Sequence, residues 1–199
     1  MPLTLRPAEP GERDAVVALT RACLAPEDRG DAGDLERLLW GDPRGRGLVV
    51  VAERDGRLVG NAFGSLGAPA DTGDLGAYVT MLTVAGTERR AGIGGKLLRT
   101  LETKCRTRGA TSIQAGGSAP VYWWPGVDTR CSGEIAFFRA MGYDVHREAM
   151  NLSVDLVRNR ALVTEPAPEG LPVRRLGGEE WPEFGAWMER TWGATWAEE

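Results

Sequence analysis

Val84-Ala85-Gly86-Thr87-Glu88-Arg89-Arg90-Ala91-Gly92-Ile93-Gly94-Gly95-Lys96-Leu97-Leu98 joins two segments of different period. Before it, Ala77-Tyr78-Val79-Thr80-Met81-Leu82-Thr83-Val84 reads as a strand. After it, Leu97, Leu98, Leu101 and Cys105 share one face of a helix at about 93–108, and Gly109 is its natural stop. Two familiar phosphate loops fail here. A Walker A loop needs glycine where Arg90 stands and Ser or Thr where Leu97 stands. The dinucleotide fingerprint needs a third glycine, again at Leu97. What remains is Arg89-x-x-Gly92-x-Gly94, leading from a strand straight into a helix. Glycine lets the backbone approach an anion closely, and the free amides and positive dipole end of the helix can then hold it. Arg89 or Arg90 adds charge from the side. The same glycines also suit an ordinary tight turn into a helix.

Working outward, residues 3–6 alternate as a short strand, and 12–24 place Val16, Leu19 and Cys23 at helical spacing. Leu35, Leu38 and Leu39 mark a second helix closed by Gly41-Asp42-Pro43. Residues 47–53 and 57–64 are β-rich runs flanking Asp55-Gly56, a hairpin signal. A Gly/Ala/Pro/Asp loop is expected over 65–76, and a strand over 111–115. An irregular stretch, 116–132, contains Tyr122-Trp123-Trp124-Pro125-Gly126. Ile135, Phe138 and Met141 mark a short helix ended by Gly142, and two closing strands are expected at 143–147 and 149–156. The result is a mixed sheet with helices, class α/β (α+β).

Composition narrows the functions. The 199 residues carry a net charge of −4, which argues against a nucleic-acid partner. No apolar run approaches the ~18 residues of a membrane span, and Met1-Pro2-Leu3-Thr4 lacks the pattern of a signal peptide. A soluble, cytoplasmic protein is expected, with no membrane partner. Cys23, Cys105 and Cys131 form no C-x-x-C, and His146 is the single histidine, so neither disulfides nor a metal site is expected.

The chain resembles the GCN5-related N-acetyltransferases (GNAT). Their signature, Arg/Gln-x-x-Gly-x-Gly/Ala after the fourth strand, is matched by Arg89, Gly92 and Gly94, with Leu82-x-Val84 before it and Leu97-Leu98 after it. Phe137-Phe138-Arg139-Ala140-Met141-Gly142-Tyr143 is similar to their later motif, and the element order over 3–157 agrees. The resemblance implies a mixed, mostly antiparallel sheet whose fourth and fifth strands splay apart, with acetyl-CoA in the wedge. It implies that pantetheine pairs with the backbone of Leu82, Thr83 and Val84. It implies that the pyrophosphate sits on Arg89, Arg90, Ala91, Gly92, Ile93, Gly94 and Gly95. The Val84 N–H would polarise the thioester carbonyl, and an amine would attack directly, without an acyl-enzyme.

The chain departs from that family at the catalytic acid. Where many members carry a tyrosine on the last helix, this chain has Phe138. Tyr122 is the first substitute, with Tyr78 and Tyr143 behind it; packing is the other reading of Tyr122, Trp123 and Trp124. No carboxylate lies in 77–84, unlike the histone-type members. Glu134 is the candidate base, and Asp128 also flanks the expected cleft; His146 lies far along the fold.

Residues 1–160 thus form one domain, 161–172 a proline-rich linker, and 173–199 a strand–helix segment. That segment lies on residues 3–24 at a constant offset of 168, like the start of a second, truncated repeat of the same type. Trp181, Phe184, Trp187, Met188 and Trp192 form an apolar stripe expected to dock on the first domain or in a homodimer. The function expected is transfer of acetyl from acetyl-CoA to a primary amine of a small molecule. The alternative is a non-catalytic acyl-CoA-binding module used for sensing or assembly.

Overall fold

The structure is a computed structural model that describes residues 2–42, 45–69, 74–117, 124–145, 148–150, 152, 154, 155, 157, 158, 170, 173–193 and 197. Five strands, β1 (Thr4–Pro7), β2 (Gly47–Arg54), β3 (Arg57–Pro69), β4 (Leu75–Val84) and β5 (Ser112–Ala115), form one sheet in chain order. The first three pairings are antiparallel and β4–β5 is parallel. Asp55 and Gly56 both take positive φ, 55° and 72°, the mirror-image turn whose twist matches a hairpin. A parallel pairing needs a crossover, and α3 (Ile93–Thr107) supplies it.

Helices cover both faces of the sheet. On one side α3 buries Ile93, Leu97, Leu98 and Leu101 against Val50, Ala52, Ala62, Ala77 and Val79. The last helix of this layer, α4 (Ser132–Ala140), adds Phe137 and Phe138. On the other side α1 (Arg13–Cys23) and α2 (Ala32–Trp40) bury Val16, Val17, Leu35 and Leu38 against Val51, Phe63 and Met81. Trp40 meets Phe63 edge-on at 5.4 Å.

One irregularity shapes β4. Phe63 pairs with Met81 and Gly64 with Val79, so Thr80 is an extra residue in the ladder. The bulge shifts which residues face which helices. Ala77 and Val79 pack on the α3 side, whereas past the bulge Met81 packs on the α1/α2 side and Leu82 and Val84 on the α3 side. β5 pairs only with Gly76–Val79, and the Gly116 N–H closes that ladder on the Val79 carbonyl at 3.0 Å. A side chain could not replace Gly116, whose φ is +82° and whose Cβ would lie 2.5 Å from Gly126.

Two polar devices fix the elements. Asn61, fully buried on β3, donates to the Thr20 hydroxyl of α1 at 3.1 Å and accepts from the Thr83 hydroxyl of β4 at 2.8 Å. Thr20 in turn donates to the Val16 carbonyl at 2.8 Å. At the sheet edge Arg6 donates to both Glu12 oxygens, at 2.7 and 2.6 Å, and to Glu53 of β2 at 3.1 and 2.6 Å. Glu12 also accepts the Glu9 N–H at 2.8 Å. The Arg6 hydrogen bonds, then the Glu9 N–H, hold the Glu12 carboxyl down to about 2.

Three expectations need correction. β3 runs on to Pro69 and β4 starts at Leu75, so the loop over 65–76 is far shorter. Pairing of Ser65 with Tyr78 and Leu66 with Ala77 overrides the weak strand propensity of the Gly/Ala run. The described residues of 143–147 and 149–156 form no strand, and Met150 and Leu152 are 83% and 89% exposed. Their alternation marks a face, but a strand also needs a neighbour to bond. Residues 173–176 likewise form no ladder, and in the helix that follows, α5 (Trp181–Trp192), Trp181, Trp187 and Trp192 are exposed. Among the described residues no docking of these three tryptophans on the first domain is seen.

Replacing Asn61 with Ala strands the Thr83 hydroxyl in the core and should lower unfolding free energy by about 1–3 kcal/mol, read from urea denaturation. The Glu12 interaction predicts a pH dependence. Its folded-state value lies below the ordinary carboxylate value of 4.5, so its stabilisation is complete above pH 4.5 and is lost as pH falls toward about 2. The difference in melting temperature between wild type and Glu12→Gln should shrink across that window. A difference that stays constant would show that Arg6 does not hold an ionised Glu12.

Candidate functional site

The site grows from the end of β4. The 3₁₀ turn Gly86–Glu88 follows it and is tied back to β2 by an ion pair from Arg54 to Glu88. Arg89 folds over the strand end and donates its Nε to the Val84 carbonyl at 3.1 Å. Arg90 then takes φ +66°, and Gly92, the residue that opens α3, takes φ +75° with open space around it. A non-glycine residue with left-handed backbone is strained by about 1–3 kcal/mol, and such strain gathers at functional turns.

No side chain caps α3, and its first turn carries no acidic residue. The ladder of the helix begins with the Lys96 N–H on the Gly92 carbonyl at 3.2 Å. The amides of Ile93, Gly94 and Gly95 thus have no acceptor within the helix, and the positive end of its dipole is uncompensated by a local acid. Gly94 and Gly95 serve a second purpose. A Cβ on Gly94 would lie 3.5 Å from the Phe137 ring, and one on Gly95 3.5 Å from the Met141 sulfur. Their Cα faces therefore receive α4, and the turn's free side is presented by Arg90, Ala91 and Gly92, all exposed.

The second half of the site is the edge of β4 beyond the bulge. The Ala85 N–H donates to Val59 across to β3 at 2.9 Å. Backbone groups alternate along a strand, so Thr83 faces β3 as well, while Leu82 and Val84 turn their N–H and C=O to the other edge. Among the described residues β5 has no rung there. Arg89 occupies the Val84 carbonyl, and among the described residues both groups of Leu82 and the N–H of Val84 have no backbone partner on that edge. The Thr83 hydroxyl is committed to Asn61.

The proton-transfer candidates are scattered. Phe138 sits edge-on between Phe137 and Tyr143, with ring centroids at 5.3 and 5.2 Å, and packs against the α3-side core. Tyr143 donates its hydroxyl to Glu102 at 3.0 Å, and burial together with that carboxylate pushes its phenol above the usual range. Tyr78 reaches Gly67 on the neighbouring strand. Glu134 is exposed in the first turn of α4, one turn before Phe137 on the same face. Asp128 is paired with Arg130, whose guanidinium and backbone N–H hold its carboxyl below the usual range. Tyr122, Trp123 and His146 lie outside the described residues. Trp124 packs on the α1/α2 core and accepts the Gly117 N–H at 2.7 Å through its carbonyl.

Two features escape sequence reasoning. Arg54 anchors the turn from a strand 34 residues away. Cys23, at the end of α1, neighbours Arg89; burial pushes its thiol up and Arg89 opposes this. Neither has a spacing signal, because both depend on how the chain folds back. No group of three or more His, Cys, Asp or Glu among the described residues is placed to hold a metal, and no described helix is long and apolar enough to cross a membrane.

No curated protein matches the chain. Solved structures do. An aminoglycoside acetyltransferase from an uncultured soil metagenomic sample, in complex with trehalose, is 17% identical. It covers 77% of this chain and 96% of its own, with a TM-score of 0.58. AAC(6′)-Iy with a CoA-containing bisubstrate analogue is 11% identical, covering 78% and 99%, with a TM-score of 0.58. A GCN5-related glucosamine N-acetyltransferase region of a fungal multi-domain β-N-acetylglucosaminidase is 19% identical, with a TM-score of 0.71. It covers 95% of this chain and 23% of that one, so its likeness reaches into the C-terminal segment. At these identities the likenesses show the fold. Residues 14–121, which run from α1 through the glycine turn and β5, match the acetyltransferase (GNAT) family by sequence, and the chain belongs to that family.

Proposed function

We propose that the chain is an N-acetyltransferase that passes the acetyl group of acetyl-CoA directly to a primary amine of a small molecule. One observation carries this reading: the uncapped amides of α3 follow immediately on the β4 edge left open by the bulge. An extended ligand with an anionic end and amide groups fits both. Ile93, Gly94 and Gly95 offer N–H donors to a pyrophosphate, with Arg89, Arg90, Ala91 and Gly92 around it. Leu82 and Val84 offer backbone groups to pantetheine, as an added strand would be met.

Bound acetyl-CoA would supply an activated thioester. The Val84 N–H is the donor for its carbonyl oxygen, where negative charge develops in the transition state. The acceptor must lose a proton first. An ammonium with pKa ~10.4 costs ~4–5 kcal/mol to deprotonate at pH 7. Glu134, exposed on the α4 face that leads to Phe137, is the proposed base, acting through water. The leaving thiolate needs less help, because a thiol of pKa ~8.5 ionises at pH 7 for ~2 kcal/mol. Phe138 supplies no proton and Tyr143 is held by Glu102, so Tyr122 is the proposed acid. Aminoglycoside-like amines are the proposed acceptors, on the strength of the solved relatives named for them. The three free cysteines suit a cytoplasmic setting.

The packing of Phe138 favours a second reading, a non-catalytic acyl-CoA-binding module. Free CoA released on incubating acetyl-CoA with a panel of primary amines, aminoglycosides included, separates the two. Amine-dependent release is expected; release no greater than without amine would favour the binding module. Arg90→Glu should weaken acetyl-CoA binding by about tenfold or more in calorimetry, since it reverses a charge beside the helix end. Its melting temperature should barely change, because Arg90 is exposed. Tyr122→Phe should lower kcat by about 100-fold, the low end for general acid catalysis, with KM for acetyl-CoA nearly unchanged. A loss under about threefold would return Tyr122 to packing and leave the thiolate to depart unaided.

A further inference from the structure

The turn that carries the candidate anion site contains an acid of its own. Across residues 84–98 the cations are Arg89, Arg90 and Lys96, and Glu88 is the one acidic residue. It stands four residues before Gly92, where α3 opens without a side-chain cap. A carboxylate is drawn to the positive end of a helix and to its free amides. Glu88 is therefore a built-in rival for the position a phosphate would take, and a repelling charge beside any anion bound there.

The fold takes Glu88 out of that contest. Arg54, the last residue of β2, donates Nη1 to Glu88 Oε2. The contact is sheltered, with the Arg54 side chain 31% exposed and that of Glu88 23%. Arg54 Nε is buried and has no hydrogen-bond partner among the described residues, so the guanidinium gives up solvation to reach the acid. The path of the chain is fixed by other bonds as well. The Ala85 N–H donates to Val59 on β3 at 2.9 Å, and the Glu88 N–H donates to the Ala85 carbonyl at 2.8 Å. Arg89 Nε donates to the Val84 carbonyl at 3.1 Å. None of these uses the side chain of Arg54 or Glu88. What the ion pair adds is a direction and a cancelled charge. The Glu88 carboxylate is held toward β2, and the turn's remaining charge is that of Arg89 and Arg90, both exposed.

We propose that Arg54 is a positioning residue for the acyl-CoA site. By holding and neutralising Glu88 it keeps the α3 amides and the Arg89/Arg90 pair available to the pyrophosphate of the ligand. The inference rests on the acetyl-CoA reading of this turn. It differs from a simple brace in its sign. Loss of Arg54 leaves an uncompensated negative charge at the site, whereas loss of the Glu88 charge leaves an uncompensated positive one. A brace would suffer equally from either.

Calorimetric titration of acetyl-CoA into the full chain and its variants tests that sign. Arg54→Met should weaken binding by at least about tenfold. Glu88→Gln should bind at least as tightly as the wild type, which also keeps the test decisive should Arg54→Met fail to fold. Arg54→Met combined with Glu88→Gln should return to within about threefold of the wild type. Both of these lack the same ion pair, so the difference between them reads the Glu88 charge and not folding. Arg54→Lys keeps the charge on the single contact and should lose less than about threefold. Three results overturn the inference while leaving the acetyl-CoA reading in place. One is wild-type affinity in Arg54→Met. Another is a Glu88→Gln variant as weak as Arg54→Met, the mark of a brace. The third is a double variant no tighter than Arg54→Met, the mark of an arginine that touches the ligand itself. A wild type that binds no acetyl-CoA overturns that reading, and the inference with it.

Discussion

Thr80 is one residue too many for the ladder between β3 and β4, and the candidate site is a consequence of that surplus. The extra residue changes which side chains face which helix layer and increases local twist. β5 follows β4 only as far as Val79 and stops at the bulge. An unpaired strand edge is normally a liability that proteins cover or shorten. Among the described residues it is limited to a few positions beside a helix start, where the proposed extended ligand would complete the backbone pairing.

Among the described residues the open edge has no neighbouring strand to hold its position. Asn61 supplies part of that constraint, because its amide joins α1 to β4 through Thr20 and Thr83. Each member of the chain has a partner, so the network fixes one arrangement without stranding a polar group. The turn after β4 is held from two other sides. Arg54 reaches it from β2 through Glu88, and Arg89 bonds back to the Val84 carbonyl. Local charge also departs from the bulk. The chain is acidic at −4, yet the turn exposes Arg90 beside Arg89 with no acid in the following helical turn. A positive spot at a helix start can draw an anion there even on a protein of net negative charge.

The two Arg–Glu clasps show how far local sequence reaches. Arg174, Gly177 and Glu180 build the same turn as Arg6, Glu9 and Glu12, although among the described residues the sheet lies beside the first unit alone. An arginine six residues before a glutamate, with a 3₁₀ turn between, closes on itself. Burial of the helix face is a separate matter, since it depends on what lies opposite. α1 loses Val16 and Thr20 entirely from solvent, and α5 leaves Trp181 58% exposed.

The sequence by itself determined the elements with short-range causes. The amphipathic helices at 12–24 and 93–108, the Asp55-Gly56 hairpin and the glycine turn follow from period, turn chemistry and backbone freedom within a few residues. The family motif at Arg89, Gly92 and Gly94 was equally local, and with it the class of chemistry to look for. Tertiary structure decided the rest. It extended β3 through a Gly-rich run because β4 lay alongside to bond it. It left the alternating residues from 149 onward without a strand among those described, because alternation names a face and not a neighbour. It also turned Gly94 and Gly95 toward α4, gave Thr83 to Asn61 and brought Arg54 to Glu88. Those contacts join residues far apart in the chain, and no periodicity encodes a partner that only the folded sheet brings near.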